Sequence, residues 1–321
     1  MKLTTPVDLP LKQFEVGYQD RLMLLGSCFV QNMGELLVGA GFRCDLNPFG
    51  VLYNPLSIAT ALTQIEEGRC YTQNDLICYG GMWHSLMHHS SFSSPSPAQC
   101  VEGINSRLTA AKEHLDGCTL LVLTLGSAYV YRYRTTGEVA GNCHKLPESQ
   151  FTRSLLSVDE VVNGLSPLFN TLFAAHPGLR VLLTVSPIRH LRDGLTGNQL
   201  SKSTLLLAVE RLTRQYRGGC FYFPAYEIMM DELRDYRFYD RDLLHPSPVA
   251  VDYIWECFTK CYFSPATQAV MQEWQELKKS WEHRLLSPDS PQSREFAQKI
   301  VLKIEEFCRK YPNFELPNKN L

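Results

Sequence analysis

Ser27, Asp242 and His245 have the side-chain types and settings that acyl transfer would need in this chain of 321 residues. Ser27 closes the apolar run Leu22-Met23-Leu24-Leu25-Gly26, and Phe29, Met33, Leu36, Leu37 and Ala40 follow at helical spacing. The run therefore reads as a buried strand and places the Ser27 hydroxyl at a strand-to-helix junction. N–H groups in the first turn of a helix have no partner within it, so negative charge developing on a nearby oxygen is stabilised. Gly26 permits a tight turn and the close approach of a ligand. A plain helix N-cap is the competing reading, since serine is a favoured cap. In Asp240-Arg241-Asp242-Leu243-Leu244-His245-Pro246, the Asp242 carboxylate can hold one ring nitrogen of His245. The other nitrogen is then free to take a proton from a serine. Alone, Asp-x-x-His arises often by chance and can be no more than a turn beside a surface imidazole. Cys28 is the alternative nucleophile, because a thiol at a helix N-terminus can be acidified. Buried packing is its plainer role.

A second concentration of polar chemistry lies in Trp83-His84-Ser85-Leu86-Met87-His88-His89-Ser90. On a helix, His84 and His88 would share one face, as a metal site requires, with His89 and His144 as further ligands. The acidic residue of His-Glu-x-x-His is missing. A polar pocket lining is the expected role, with the satisfying of buried backbone groups as a third reading, and neither a metal nor another cofactor is expected.

The elements that must position these residues follow one another regularly. After the first strand and helix, Phe42–Asp45 reads as a short strand, broken by Asn47-Pro48-Phe49-Gly50 and Asn54-Pro55, and Ser57–Ile65 as a helix. Residues 68–97 are irregular. A helix over Val101–Leu115 leads to the continuous apolar run Thr119–Leu125, which suits a central parallel strand covered on both faces. Ala128–Tyr133 alternates like an edge strand, and a helix begins near Ser157. Arg180–Val185 is a further buried strand, followed by an expected exposed loop through Ile188-Arg189-His190 and Asp193-Gly194. A helix marked by Leu205 to Leu212 and a last strand, Cys220–Phe223, precede the Asp242–His245 stretch. Such alternation predicts a doubly wound parallel sheet, whose ligand site lies beyond the carboxyl ends of its strands. Gly26-Ser27, Gly126-Ser127 and Ser186-Pro187 all fall there.

The composition excludes several classes of function. At 45% hydrophobic and 20% charged residues, with a formal net charge of -2, the chain suits a globular fold with a large core and no general affinity for nucleic acid or anionic membranes. Met1-Lys2-Leu3-Thr4-Thr5-Pro6 lacks the apolar core of a secretory signal, and a cytoplasmic location is expected. The 11 cysteines form no Cys-x-x-Cys pair and read as reduced, mostly buried thiols.

Taken together, Gly26-Ser27-Cys28-Phe29, Asn47-Pro48-Phe49-Gly50, Trp83-His84-Ser85, His88-His89-Ser90, Asn142-Cys143-His144-Lys145, Ser186-Pro187-Ile188-Arg189-His190 and Asp242-Leu243-Leu244-His245-Pro246-Ser247 resemble the GSCFA-domain family of bacterial proteins. That family is related to the SGNH (GDSL-like) hydrolases. Val30 stands where the family's name motif has alanine. The resemblance implies a flavodoxin-like three-layer α/β/α sandwich with a central parallel sheet, and a serine esterase or acyl hydrolase acting on a small-molecule ester. It makes Ser27 the nucleophile, Asp242 and His245 its partners, and Gly50 a donor of an oxyanion N–H. Ala128 replaces the usual oxyanion asparagine of Gly-x-Asn-Asp, and Asn47, Ser127 and His84 are the candidate substitutes. A hydrolase-fold binding protein with little or no turnover is the alternative. Residues 1–265 are expected to form the α/β domain, with the irregular insertion at about 68–97. Residues 266–321 are expected to form a helical extension packed on it. The sequence leaves the substrate and the oligomeric state open.

Overall fold

The computed structural model describes residues 4–282 and 291–317. Five parallel strands form the central sheet: β1 (Arg21–Gly26), β2 (Arg43–Leu46), β3 (Leu120–Leu125), β4 (Arg180–Val185) and β5 (Cys220–Tyr222). Their order is β5-β4-β3-β1-β2, the doubly wound order in which the switch point falls between β1 and β3. Gly26 is in register with Thr124, and Thr124 with Thr184, so the first, third and fourth strands end together. Their last carbonyls and the residues after them are thereby gathered at one edge.

Side-chain alternation divides the core in two. Met23, Leu25, Leu121, Leu123, Val181 and Leu183 pack with α2 (Pro55–Glu66), α3 (Pro97–Leu115), α4 (Val158–Ala175) and α5 (Gly194–Gln215). Leu22, Leu24, Leu120, Val122 and Leu182 face the other way, onto α1 (Cys28–Gly39) and α6 (Pro248–Tyr262). The result is the expected three-layer α/β/α sandwich. Local chemistry starts several of these helices. Asn54 Oδ1 accepts the Ser57 N–H at 2.8 Å with Pro55 in the first turn, and Ser157 and Glu160 form a reciprocal capping box. Among the described residues no helix is long and apolar enough to cross a membrane.

Three expectations about local structure need correction. His84 and His88 do not share a helix face, because His84 ends a hairpin strand (Ile77–Tyr79 with Met82–His84) and His88 lies in the turn beyond. Tyr129–Tyr133 is no edge strand: it is the centre of a separate antiparallel sheet, between Val139–Ala140 and Phe151–Leu155. The loop after β4 is not simply exposed. Ile188 is buried, and Asp193 is paired with Arg153.

Among the described residues from 265 onward are α7 (Pro265–Trp281) and α8 (Pro291–Lys310). Ser264 caps α7, so the apolar pattern from Met271 to Trp281 belongs to a helix separate from α6. Trp274 is fully buried, and its indole N–H donates to the Gly39 carbonyl at 2.9 Å. The break at Ser287-Pro288-Asp289-Ser290 falls outside the described residues. Five cysteines are buried, while Cys70 and Cys78 are exposed.

Candidate active site

Ser27 caps α1 by backbone position (φ -70°, ψ 173°), yet its side chain makes no capping hydrogen bond. The residue is fully buried and Oγ has no hydrogen-bond partner. Leaving a hydroxyl in that state costs about 1–3 kcal/mol, so a role as a simple cap does not account for it. The junction itself is tightly held. Gly26 has φ +144°, and its N–H donates to Asn47 Oδ1 at 2.9 Å. The Ser27 N–H donates to the Thr124 carbonyl at 3.2 Å and the Gly50 N–H to the Asn47 carbonyl at 2.7 Å. The Gly50 amide, the oxyanion donor that the resemblance implies, and the Ser27 amide therefore both have backbone partners here. Asn47, in the left-handed region at φ +42°, fixes its amide through Gly26 and directs Nδ2 toward Gln31 Oε1 at a long 3.4 Å.

Asp242 and His245 are already assembled. Oδ2 of Asp242 lies 2.5 Å from His245 Nδ1, while Oδ1 accepts the N–H groups of Leu244 at 2.8 Å and His245 at 3.0 Å. Leu243, at φ +60°, makes the tight loop. The amide donors of His245 and Leu244, with the imidazole, lower the Asp242 carboxyl to about 2. It is thus ionised throughout the range in which an ordinary imidazole titrates. The side chains of His245 and Asp242 are 44% and 45% exposed. Asp240 N–H to His245 carbonyl (2.7 Å) and Arg189 N–H to Leu244 carbonyl (3.2 Å) pin the loop to its surroundings. Ser27 Oγ makes no hydrogen bond to His245 in this structure.

Gly126, Tyr53, His190 and Lys202 complete the surroundings. A Cβ at Gly126 would lie 3.2 Å from Ser27 Cβ, and the Gly126 and Ser127 N–H groups both donate to the Tyr53 carbonyl. The Tyr53 hydroxyl sits 3.5 Å from Cys28 Sγ, and its ring meets His190 edge-on at 5.6 Å. His190 Nε2 is buried without a partner; burial, then the charges of Lys202 and His245, lower the ring to about 4. At neutral pH His190 is a neutral imidazole beside His245. Lys202 is wholly buried in α5, with Nζ 2.6 Å from the Gly126 carbonyl and 2.7 Å from that of Ser186. It ties the ends of β3 and β4 together.

The sequence profile of the GSCFA family matches residues 21–258, and that of the GSCFA domain protein, C-terminal domain, matches residues 274–319. The chain belongs to the GSCFA family. Its structure is similar to a carbohydrate esterase family 3 protein from Talaromyces cellulolyticus at 11% identity, covering 79% of this chain and 99% of that one, with a TM-score of 0.36. It is similar to the family 3 carbohydrate esterase of Clostridium thermocellum at 12% identity, covering 79% and 98%, with a TM-score of 0.33. A third similarity is to an acetyl xylan esterase of the rumen bacterium Butyrivibrio proteoclasticus at 8% identity, covering 75% and 62%, with a TM-score of 0.37. No curated protein sequence matched the chain.

Other motif residues of this GSCFA-family chain have packing partners. Ser127 Oγ contacts Ser201 Oγ at 3.3 Å and accepts the Tyr129 N–H, and the Ala128 N–H donates to Ser201 Oγ at 2.8 Å. His84 is committed through Nδ1 to Ser93 (2.6 Å) and through Nε2 to the Tyr79 carbonyl (3.1 Å), and it stacks on His144. His88 stacks on Phe49, and burial lowers it to about 3, so it is neutral. Among the described residues, the one convergence of three possible metal ligands is Glu66, Asp116 and His176. The Lys112 ammonium already lies between those two carboxylates. A cavity of about 960 Å³ along β5, lined by Val7, Pro10 and Arg214, contains none of the candidate residues.

Lys202 carries a stability prediction. Burial pulls its ammonium down to about 7, while the two carbonyls favour the charged form. Lys202→Met strands both carbonyls and is expected to cost about 2–4 kcal/mol, read from the urea midpoint. With the folded pKa below the unfolded one, the unfolded chain binds more protons between pH 7 and 10. Lys202 therefore makes stability rise with pH across that window. A wild-type-minus-variant difference that falls instead would show that the carbonyls outweigh burial.

Proposed function

We propose that this GSCFA-family protein is a serine acyl hydrolase that cleaves an ester of a small molecule. The observation that carries the reading is the 2.5 Å contact between Asp242 and His245 Nδ1, on a loop bonded to the carboxyl end of the sheet. In this mechanism His245 Nε2 takes the proton of Ser27 Oγ as that oxygen attacks the ester carbonyl. Asp242 keeps the proton of Nδ1 in place and stabilises the imidazolium. The tetrahedral oxyanion is received by Asn47 Nδ2, which is held in place by the Oδ1 bond to Gly26 and gives up only a long bond to Gln31, and by the first-turn amides of α1. Collapse expels the alcohol, which takes its proton from His245. Water deprotonated by the same imidazole then releases the acid. Asn47 thus substitutes for the asparagine replaced by Ala128.

The second reading, a binding protein with little turnover, is favoured by the same Ala128 and by the missing Ser27–His245 hydrogen bond. Loss of one oxyanion donor typically costs about a hundredfold or more in rate. Release of nitrophenol from p-nitrophenyl acetate, in wild type and Asp242→Asn, separates the two. The hydrolase should turn over, and the variant should lose about a hundredfold or more in kcat/KM across pH 5–9. Equal rates in both proteins count against the mechanism.

A further inference from the structure

A cavity of about 380 Å³ adjoins the loop that carries Asp242 and His245, and Arg189 lines it. Resting on the hydrolase reading above, we propose that this cavity is a substrate subsite for a carboxylate, so that the preferred ester is one of an acidic, uronate-like alcohol.

The placement follows from backbone contacts. Tyr239, on one wall, pairs with Pro246, the residue after His245, and the Arg189 N–H donates to the Leu244 carbonyl. The wall and the candidate base are thus parts of one hydrogen-bonded unit. His190, the next residue after Arg189, is the group whose charge environment includes His245.

The chemistry follows from what Arg189 touches. Its guanidinium lies 4.1 Å from the ring centre of Tyr239 and 5.4 Å from that of Tyr236, and it has no carboxylate partner among the described residues. Contact with the two rings holds the guanidinium in place, one of its N–H groups engages the Tyr239 side chain, and those that remain form a fork that suits a carboxylate. Each carboxylate of the cavity has an arginine near it: Asp231 lies 3.9 Å from Arg234, which also lines the cavity, and Asp235 lies 3.8 Å from Arg237, outside it. Gln199 spends its oxygen on the Tyr226 hydroxyl at 2.9 Å, which leaves its amide N–H₂ as a second donor. Tyr236, 61% exposed, offers an aromatic face on which a sugar ring can rest.

The test has a binding arm and a turnover arm. D-Glucuronate and D-glucose are titrated calorimetrically into the wild-type protein, Arg189→Met and Arg189→Lys, with thermal melts confirming that each is folded. Glucuronate should bind, should weaken as salt is raised, and should weaken about tenfold or more in Arg189→Met, with Arg189→Lys between. In the turnover arm, mono-O-acetylated glucuronate should be preferred over mono-O-acetylated glucose in kcat/KM, and Arg189→Met should bring that ratio to about one. Glucuronate binding that depends on Arg189 while no acetate is released keeps the subsite and sinks the hydrolase reading. Acetate release without preference, together with no glucuronate binding or equal binding by Arg189→Met, overturns the subsite and leaves the hydrolase standing.

Discussion

Ser27→Ala is expected to abolish covalent labelling by a fluorophosphonate and to lower ester turnover by about four orders of magnitude or more. The phosphonyl group reacts with a serine only when a base withdraws its proton, so labelling reports activation and not the mere presence of a hydroxyl. His245→Ala should remove labelling to the same degree, because residues that act as one unit are not additive. Fragmenting the labelled peptide to place the adduct on Ser27 or on Cys28 distinguishes the two nucleophiles. Cys28→Ser should retain labelling at Ser27, and loss of reaction in that variant alone would move the chemistry to the thiol. The complete burial of Ser27 sets a further expectation: labelling should be slow with a bulky probe and faster with a small one. Uniform failure in protein shown to be folded would favour a binding protein, which keeps the Asp242–His245 pair without an activated serine.

The parts of the fold legible in the sequence were those whose signal is local. Continuous apolar runs marked β1, β3 and β4, because strands covered on both faces need no polar alternation. Asn54-Pro55, read as a turn, is in fact the cap and first residue of α2, whereas the helix read over Ser57–Ile65 was legible from its apolar spacing. Asp242 and His245 were legible for the same reason, since a three-residue spacing suffices for their contact. The Tyr129–Tyr133 strand was misplaced because its partners, Phe151–Leu155 above all, lie across a long loop and leave no mark on its own alternation. Lys202, Tyr53 and His190 went unrecognised as part of the site. Lys202 sits among the apolar positions of α5 as a single cation, and only the approach of the Gly126 and Ser186 carbonyls, from two other strands, reveals what it does. His190 reads as a loop residue until the distant Asp242–His245 loop is brought beside it.

Gly26→Ala should destabilise the protein by about 3–5 kcal/mol. An added Cβ would lie 2.2 Å from the Thr124 carbonyl oxygen and 2.9 Å from its carbon, far inside contact distance. The backbone it meets cannot give way readily, because β3 is hydrogen-bonded to β1 on one side and β4 on the other. The φ of +144° adds a second penalty, since side-chain-bearing residues rarely adopt it. Gly68→Ala provides the comparison. Gly68 also has positive φ, at +63°, but a Cβ there would meet nothing within 4 Å, so its cost should stay near ~1 kcal/mol. The difference between the two urea midpoints reads the collision with Thr124 together with the added strain of a φ of +144° over one of +63°. Equal costs would mean that the end of β1 can move away from β3. If it cannot, any relaxation that admits the methyl group must displace Ser27, whose N–H is held by the same Thr124 carbonyl. Even the fraction of Gly26→Ala that folds should therefore label more slowly at Ser27 than Gly68→Ala does.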